Sequence, residues 1–308
     1  MARVRVLPED ARSPGRHETE TALSLAQRMP HLVLEARRVA ANLAHGIHGR
    51  RRAGTGETFW QFRPFVAGEA AQRIDWRRSG RDDRLYVRER EWETAQTIWF
   101  WIDRSASMGF ASDLAQAPKV ERAVVLGLAL ADCFVEAGER AGMLGLMPPR
   151  ATRRIAETMA QTMVADRSSL EEDLPPQAPI APLHEAILIS DFLTPTREIT
   201  AVVEGISSRG ARGHLVMIVD PVEETFPFRG QAILHDLEDG LSLRIGDAMS
   251  WGQAYRERIA QHRAQLNELA RRRGWTMTIH RTDRPASEAA LRLLTLVTAS
   301  RGANPGGR

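Results

Sequence analysis

The stretch Thr97-Ile-Trp-Phe-Trp-Ile-Asp103-Arg-Ser105-Ala-Ser107-Met-Gly109 decides how the rest of the chain is read. Ile98 to Ile102 is β-branched and aromatic, the composition of a strand buried on both faces of a parallel sheet. The apolar run stops at Asp103, hydroxyls follow at Ser105 and Ser107, Gly109 marks a loop, and a helical pattern starts near Pro118. Strand, polar loop and helix form the α/β crossover unit, in which ligands sit at the carboxyl ends of the strands. Two readings suit Asp-x-Ser-x-Ser at that place. Three oxygen-bearing side chains on one turn can converge on a hard cation such as Mg²⁺, which takes octahedral oxygen ligands at about 2.0–2.1 Å. Asp103 and Ser105 can equally cap the coming helix. In the first reading two of the three ligands are neutral, so the metal would keep much of its charge and attract a carboxylate from elsewhere.

Downstream, Ala186-Ile-Leu-Ile-Ser-Asp191 repeats the logic of a core strand ending in an acid, beside the same crevice. His214-Leu-Val-Met-Ile-Val-Asp220 is a third such strand, with Asp220 before Pro221 read as a helix-entry turn. Around these the pattern predicts helices over 120–135, 153–165, 199–208, 251–273 and 285–299, and strands over 141–147 and 275–280. Asp239-Gly240 between alternating segments predicts a hairpin over 231–245. Residues 1–20 read as a mobile tail, and 21–46 as a helix broken or kinked at Pro30. Residues 68–81 read as a short helix and 85–92 as an edge strand, with Arg63, Arg73, Asp75, Arg88 and Glu91 pairing among themselves to hold this segment on the core. The nine histidines do not cluster at ligand spacing, and His184, His214, His235 and His280 read as structural.

Thr97 to Gly109 resembles the first metal-binding loop of von Willebrand factor type A domains, the metal-ion-dependent adhesion site. The preceding segment from Gly54 to Trp76 resembles the signature of the bacterial family called domain of unknown function 58. There a glycine-rich entry, an Arg-x-Tyr-x-x-Gly-Asp element and an Arg-x-Ile-Asp-Trp element precede a type A core. This chain has Arg63-Pro-Phe65-Val-Ala-Gly68-Glu69 and Arg73-Ile-Asp75-Trp76, so Phe65 replaces the tyrosine and Glu69 the aspartate. The resemblance implies an α/β fold, a type A-like (Rossmann-like), mostly parallel sheet flanked by helices over 97–300, after a small N-terminal appendage over 21–96. It further implies an Mg²⁺ or Mn²⁺ site at Asp103, Ser105, Ser107 and Asp191. The second metal loop, where type A domains offer a threonine, falls on Asp166-Arg-Ser168-Ser169, so Ser168 or Ser169 must stand in. In such domains the hydroxyls ligate the metal directly, the aspartates act largely through water, and the last position takes a partner's Asp or Glu. Relatives in this family often go with MoxR-type AAA+ ATPases, which implies an adaptor and not an enzyme.

Composition bounds the alternatives. The chain has 308 residues, 43% hydrophobic and 26% charged, enough for one large or two modest soluble domains. The longest apolar stretch, 123–131, is far short of a membrane span, and Met1 to Asp10 has no signal-peptide core. The single cysteine, Cys133, excludes an internal disulfide framework and fits a reducing cytoplasm. A net charge of +3 with arginine in place of lysine (Lys119 is the only one) argues against a nucleic-acid module built on Arg50–Arg52 and Arg271–Arg273. No phosphate loop, nucleophile elbow or zinc helix occurs. A hydrolase with an aspartyl nucleophile would want a carboxylate where Ser105 stands, which leaves a metal-dependent hydrolase as the second reading.

Overall fold

Successive residues of the decisive strand face opposite ways, and a layer of helices covers each side. A computed structural model describes residues 14–47, 59–81, 84–90, 96–166, 172–177, 180–182, 184–235 and 242–302. In chain order come α1 (Pro14–Ile47), β1 (Phe59–Pro64), α2 (Trp76–Ser79), β2 (Tyr86–Arg90), β3 (Thr97–Ile102), α3 (Lys119–Glu136), β4 (Arg140–Met143) and β5 (Met147–Arg150). After them come α4 (Ile155–Ala165), β6 (Glu185–Ser190), α5 (Thr196–Ser207), β7 (Arg212–Val219) and α6 (Pro221–Thr225). The chain closes with β8 (Ala232–His235), β9 (Ser242–Ile245), α7 (Ala248–Arg272), β10 (Thr276–Arg281) and α8 (Ala286–Gly302). They fall into two units, residues 50–95 and the remainder, in which α1 joins everything from residue 96 onward.

The larger unit is built on a six-stranded sheet of order β10-β7-β6-β3-β4-β5, parallel except that β5 runs antiparallel to β4. Ile98, Phe100 and Ile102 join one core with α1, α3, α4 and α8. Trp101 joins the other with Leu188, Leu215 and Met217 and with α5 and α7. Close packing explains two glycines. A Cβ on Gly127 of α3 would stand 2.5 Å from Ile102 Cδ1, and one on Gly213 of β7 would stand 2.3 Å from the Trp275 ring. The register pairs Ile102 with Ile189, and the Asp103 N–H donates to the Ile189 carbonyl at 2.9 Å. Asp103 and Asp191 therefore leave adjacent parallel strands at the same end of the sheet.

Several elements differ from the sequence expectation, each for a physical reason. The segment read as one strand over 141–147 is a hairpin. Gly145, at φ 72, turns the chain, and Pro148 and Pro149 lie on β5, the edge strand that tolerates missing donors. Helix α1 begins at Pro14, inside the expected tail, and runs through Pro30 without a break. Its stripe Leu25, Met29, Leu32, Val33, Ala36, Ala40 and Leu43 is buried in the core, and this packing outweighs the one hydrogen bond that proline removes. The same burial is why α1 belongs to the sheet-bearing unit and not, as the 21–96 boundary had it, to the appendage. The β8–β9 hairpin forms, while its Asp239-Gly240 turn lies outside the described residues. His214 is structural, its Nδ1 2.7 Å from Thr276 Oγ1. Among the described residues no helix is long and apolar enough to cross a membrane.

The smaller unit is an antiparallel β1–β2 ribbon whose second strand also bridges Ile74 through Val87. Strand β1 is not read from the sequence, because Arg63-Pro64 ends an otherwise aromatic run. The helix expected over 68–81 shrinks to a 3-10 turn (Ala71–Arg73) and the four residues of α2, the bridge at Ile74 interrupting it. Arg63 pairs with Glu69 through both guanidinium nitrogens, at 2.5 and 2.9 Å. Asp75 accepts the Arg78 N–H at 2.9 Å and so caps α2. These contacts are local to the unit, and Trp76 is 64% exposed. The Arg73 and Arg88 side chains and Glu91 lie outside the described residues.

Candidate functional site

The loop after β3 is organised by its own aspartate. Asp103 is 1% exposed, and its Oδ1 accepts the Ser105 N–H at 2.8 Å, closing the turn. Its Oδ2 accepts the Ser190 hydroxyl at 2.6 Å, and Ser190 Oγ in turn accepts the Phe192 N–H at 2.9 Å. Ser190 thus ties the loop after β3 to the loop after β6. Residues 106–109 form a 3-10 turn over the buried Met108, and the Ser105 and Ser107 hydroxyl oxygens are brought to 3.3 Å. Helix α3 takes Pro118 at its N-cap with no side-chain hydrogen bond, so neither Asp103 nor Ser105 caps it.

The groups that donate hydrogen bonds to Asp103, from Ser105 and Ser190, are neutral. Burial first, and the charge of Asp191 second, push its carboxyl up to about 7. Asp191 lies in the loop after β6, with Oδ1 accepting the Leu193 N–H at 3.2 Å and Oδ2 accepting from Lys119 Nζ at 2.7 Å. The same ammonium donates to Glu223 Oε1 at 2.6 Å and lies 5.7 Å from the centre of the Phe110 ring. Burial alone would lower the Lys119 pKa, but Asp191 and Glu223 hold it above the ordinary lysine range. Phe192, between Asp191 and Leu193, has φ 49, the left-handed region that a bulky residue enters at a cost of about 1–3 kcal/mol. Its ring is buried, and its carbonyl accepts a hydrogen bond from His262 Nε2 at 2.6 Å, which holds the conformation.

Arg104 points the other way. Its guanidinium donates to the Met163 carbonyl at 2.5 Å and to the Asp166 carboxylate at 2.6 Å, anchoring the last turn of α4 beside the loop. Asp220 is the expected turn. It caps α6 through the Val222 N–H at 2.9 Å, Glu223 completes a capping box, and its carboxylate also receives Ser112 N–H and Oγ–H at 2.8 and 2.6 Å.

The structure therefore brings together Asp103, Ser105, Ser107 and Asp191, while Ser168 lies outside the described residues. Among the described residues no three His, Cys, Asp or Glu side chains form a metal-binding group. The donors here are two carboxylates and two hydroxyls, a set that suits a hard cation. Cis ligands of an octahedral ion with bonds of about 2.0–2.1 Å would lie roughly 2.9 Å apart, close to the separation of the two hydroxyls. Sequence reading misses Lys119, Glu223, Ser190 and Arg104. One signal is available for the first, a lone lysine in a chain whose other cations are arginines.

Uncharacterized proteins of Mycobacterium tuberculosis and Mycobacterium bovis are 26% identical to this chain over 283 residues, 84% of its length and 86% of theirs. Among solved structures, the conserved hypothetical protein BatB of Bacteroides thetaiotaomicron aligns with TM-score 0.40 and 14% identity, over 67% of this chain and 100% of that one. An aerotolerance-related membrane protein of Bacteroides fragilis aligns with TM-score 0.41 and 14% identity, over 66% of this chain and 100% of that one. The family described as "Protein of unknown function DUF58" matches residues 61–265, which takes in the second half of the 54–76 signature, both aspartate-bearing loops and most of the parallel sheet, and the chain belongs to that family.

Proposed function

We propose that this protein is a divalent-metal-dependent protein-binding module with a type A-like core, and that the crevice at the ends of β3 and β6 is its binding site. The observation that carries the reading is a buried aspartate with neutral hydrogen-bond donors, set beside two converging hydroxyls. A carboxylate taken from water without a cationic partner is costly, and a bound cation removes that cost. Ser105 and Ser107 would hold Mg²⁺ or Mn²⁺ through their hydroxyls, with Asp103 and Asp191 in support and Ser168 as the residue of the second loop. Such an ion supplies an electrophilic position for a carboxylate.

The protein's own residues do the positioning. Asp103 shapes the turn that presents the hydroxyls, Ser190 locks the two loops together, and Arg104 fixes the neighbouring end of α4. The resemblance of the 54–109 region supports a partner of the MoxR-type AAA+ class that offers an Asp or Glu, with this chain as adaptor. The test is a two-by-two association assay, wild type and Ser105→Ala, each with and without chelator. Loss of the hydroxyl barely alters packing, so the variant is expected to fold normally. Substitution and chelation are each expected to abolish most of the complex, and the combination to add nothing further. A complex that survives both treatments would place the contact elsewhere.

A further inference from the structure

The crevice already contains a cation. Lys119 is 1% exposed, and its ammonium is held between Asp191 and Glu223 at 2.7 and 2.6 Å. It opens α3, its N–H donating to the Phe110 carbonyl at 3.2 Å, and its side chain crosses the interior to reach partners 72 and 104 residues later in sequence. The chain has 42 Lys and Arg, of which Lys119 is the single lysine. An ammonium is a compact point charge that fits between two carboxylates, whereas a planar guanidinium demands a wider, bidentate arrangement. The choice of lysine at this one position thus has a steric reason.

The charge count of the crevice has a direct consequence for any ion. Asp103, Asp191 and Glu223 are three carboxylates, and Lys119 cancels one charge while taking up Asp191 Oδ2. Asp191 Oδ1 is occupied as well, by the Leu193 N–H. A divalent ion served by Asp191 shares that carboxylate with Lys119 and meets the repulsion of a fixed, buried positive charge. Two unit charges 4 Å apart interact by about 4 kcal/mol at an effective dielectric of 20, and a divalent ion feels twice that at equal distance. We propose that Lys119 is a positioning residue that holds the crevice at low divalent-cation affinity, so that the ion is bound tightly only together with an anionic group from a partner. The coupling is reciprocal. A carboxylate that strengthens ion binding is itself bound more strongly when the ion is present. This inference rests on the metal-dependent reading of the same site.

The experiment is calorimetric titration of Mn²⁺ and of Mg²⁺ into the full chain, comparing wild type with Lys119→Met, with the charge-matched double variant Lys119→Met/Glu223→Gln, and with Glu223→Gln alone. Circular dichroism identifies the folded variants. If the single variant does not fold, the double variant against Glu223→Gln carries the comparison, since it keeps the wild-type net charge and differs from Glu223→Gln only in the lysine. The expected result is ion binding at least about tenfold tighter in Lys119→Met than in wild type and in the double variant than in Glu223→Gln, with Glu223→Gln itself weaker than wild type because it loses a negative charge and keeps the lysine. A purely structural role for Lys119 would move the first in the opposite direction. Wild type that binds the ion, with binding equal or weaker in Lys119→Met than in wild type and in the double variant than in Glu223→Gln, overturns the inference and leaves the metal site standing. Absence of binding in wild type and all variants overturns both.

Discussion

Asp103→Asn is expected to raise the stability of the metal-free protein at pH 8 by up to about 4 kcal/mol and to leave it nearly unchanged at pH 4. Burial and Asp191 lift the folded-state pKa of Asp103 from 3.8 to about 7. A carboxyl whose pKa rises on folding binds its proton more tightly in the folded chain. Its contribution is therefore fully present below pH 3.8 and is lost as pH rises through 7. Asparagine is neutral throughout and escapes that loss. It keeps an oxygen for the Ser105 N–H, and its amide can meet the Ser190 hydroxyl, which also accepts. Urea denaturation of both proteins at the two pH values, with chelator present, measures the difference. Adding Mg²⁺ at 100 times its dissociation constant should then stabilise wild type by about 2.7 kcal/mol and the variant hardly at all. Equal stability of the two metal-free proteins at pH 8 would mean that the Asp103 charge is compensated by something other than a metal.

The second large effect belongs to Arg104, which sits inside the Asp-x-Ser-x-Ser motif without pointing into the crevice. Arg104→Met keeps much of the apolar stem but strips donors from the Met163 carbonyl and from Asp166, a pair whose arginine is 3% exposed. Breaking a buried, hydrogen-bonded ion pair costs roughly 3–5 kcal/mol, and partial exposure of Asp166 places this one near the lower figure. Hydrogen exchange is expected to quicken at the last turn of α4, residues 160–165, more than in β3 or α3. A variant as stable as wild type, with unchanged exchange there, would remove Arg104 from the scaffold of the site.

The parallel sheet was legible because its strands are continuous apolar runs that end abruptly in Asp103, Asp191 and Asp220, and the flanking helices have clear periodicity. Local pattern reads less well where two elements share one apolar run. Met143 and Met147 belong to different strands because a positive φ at Gly145 reverses the chain, and residue composition alone does not separate them. Proline rules also mislead where packing dominates, as in α1. Within the site, the closeness of Asp103, Ser105 and Ser107 follows from short spacing. The partners of Lys119 and Ser190 are set by which strands neighbour each other, so they are invisible to any window of sequence. Lysine at the start of a helix ordinarily reads as a solvated charge. Only its rarity in this chain marks it out.

The proposed function requires that the crevice hold a divalent ion through the loop after β3. Its most direct test is calorimetric titration of Mg²⁺ into wild type and into the double variant Ser105→Ala/Ser107→Ala, at pH 8 with both proteins shown to be folded. One site per chain in wild type, with heat lost in the variant, is the predicted result; identical isotherms for the two proteins would contradict it.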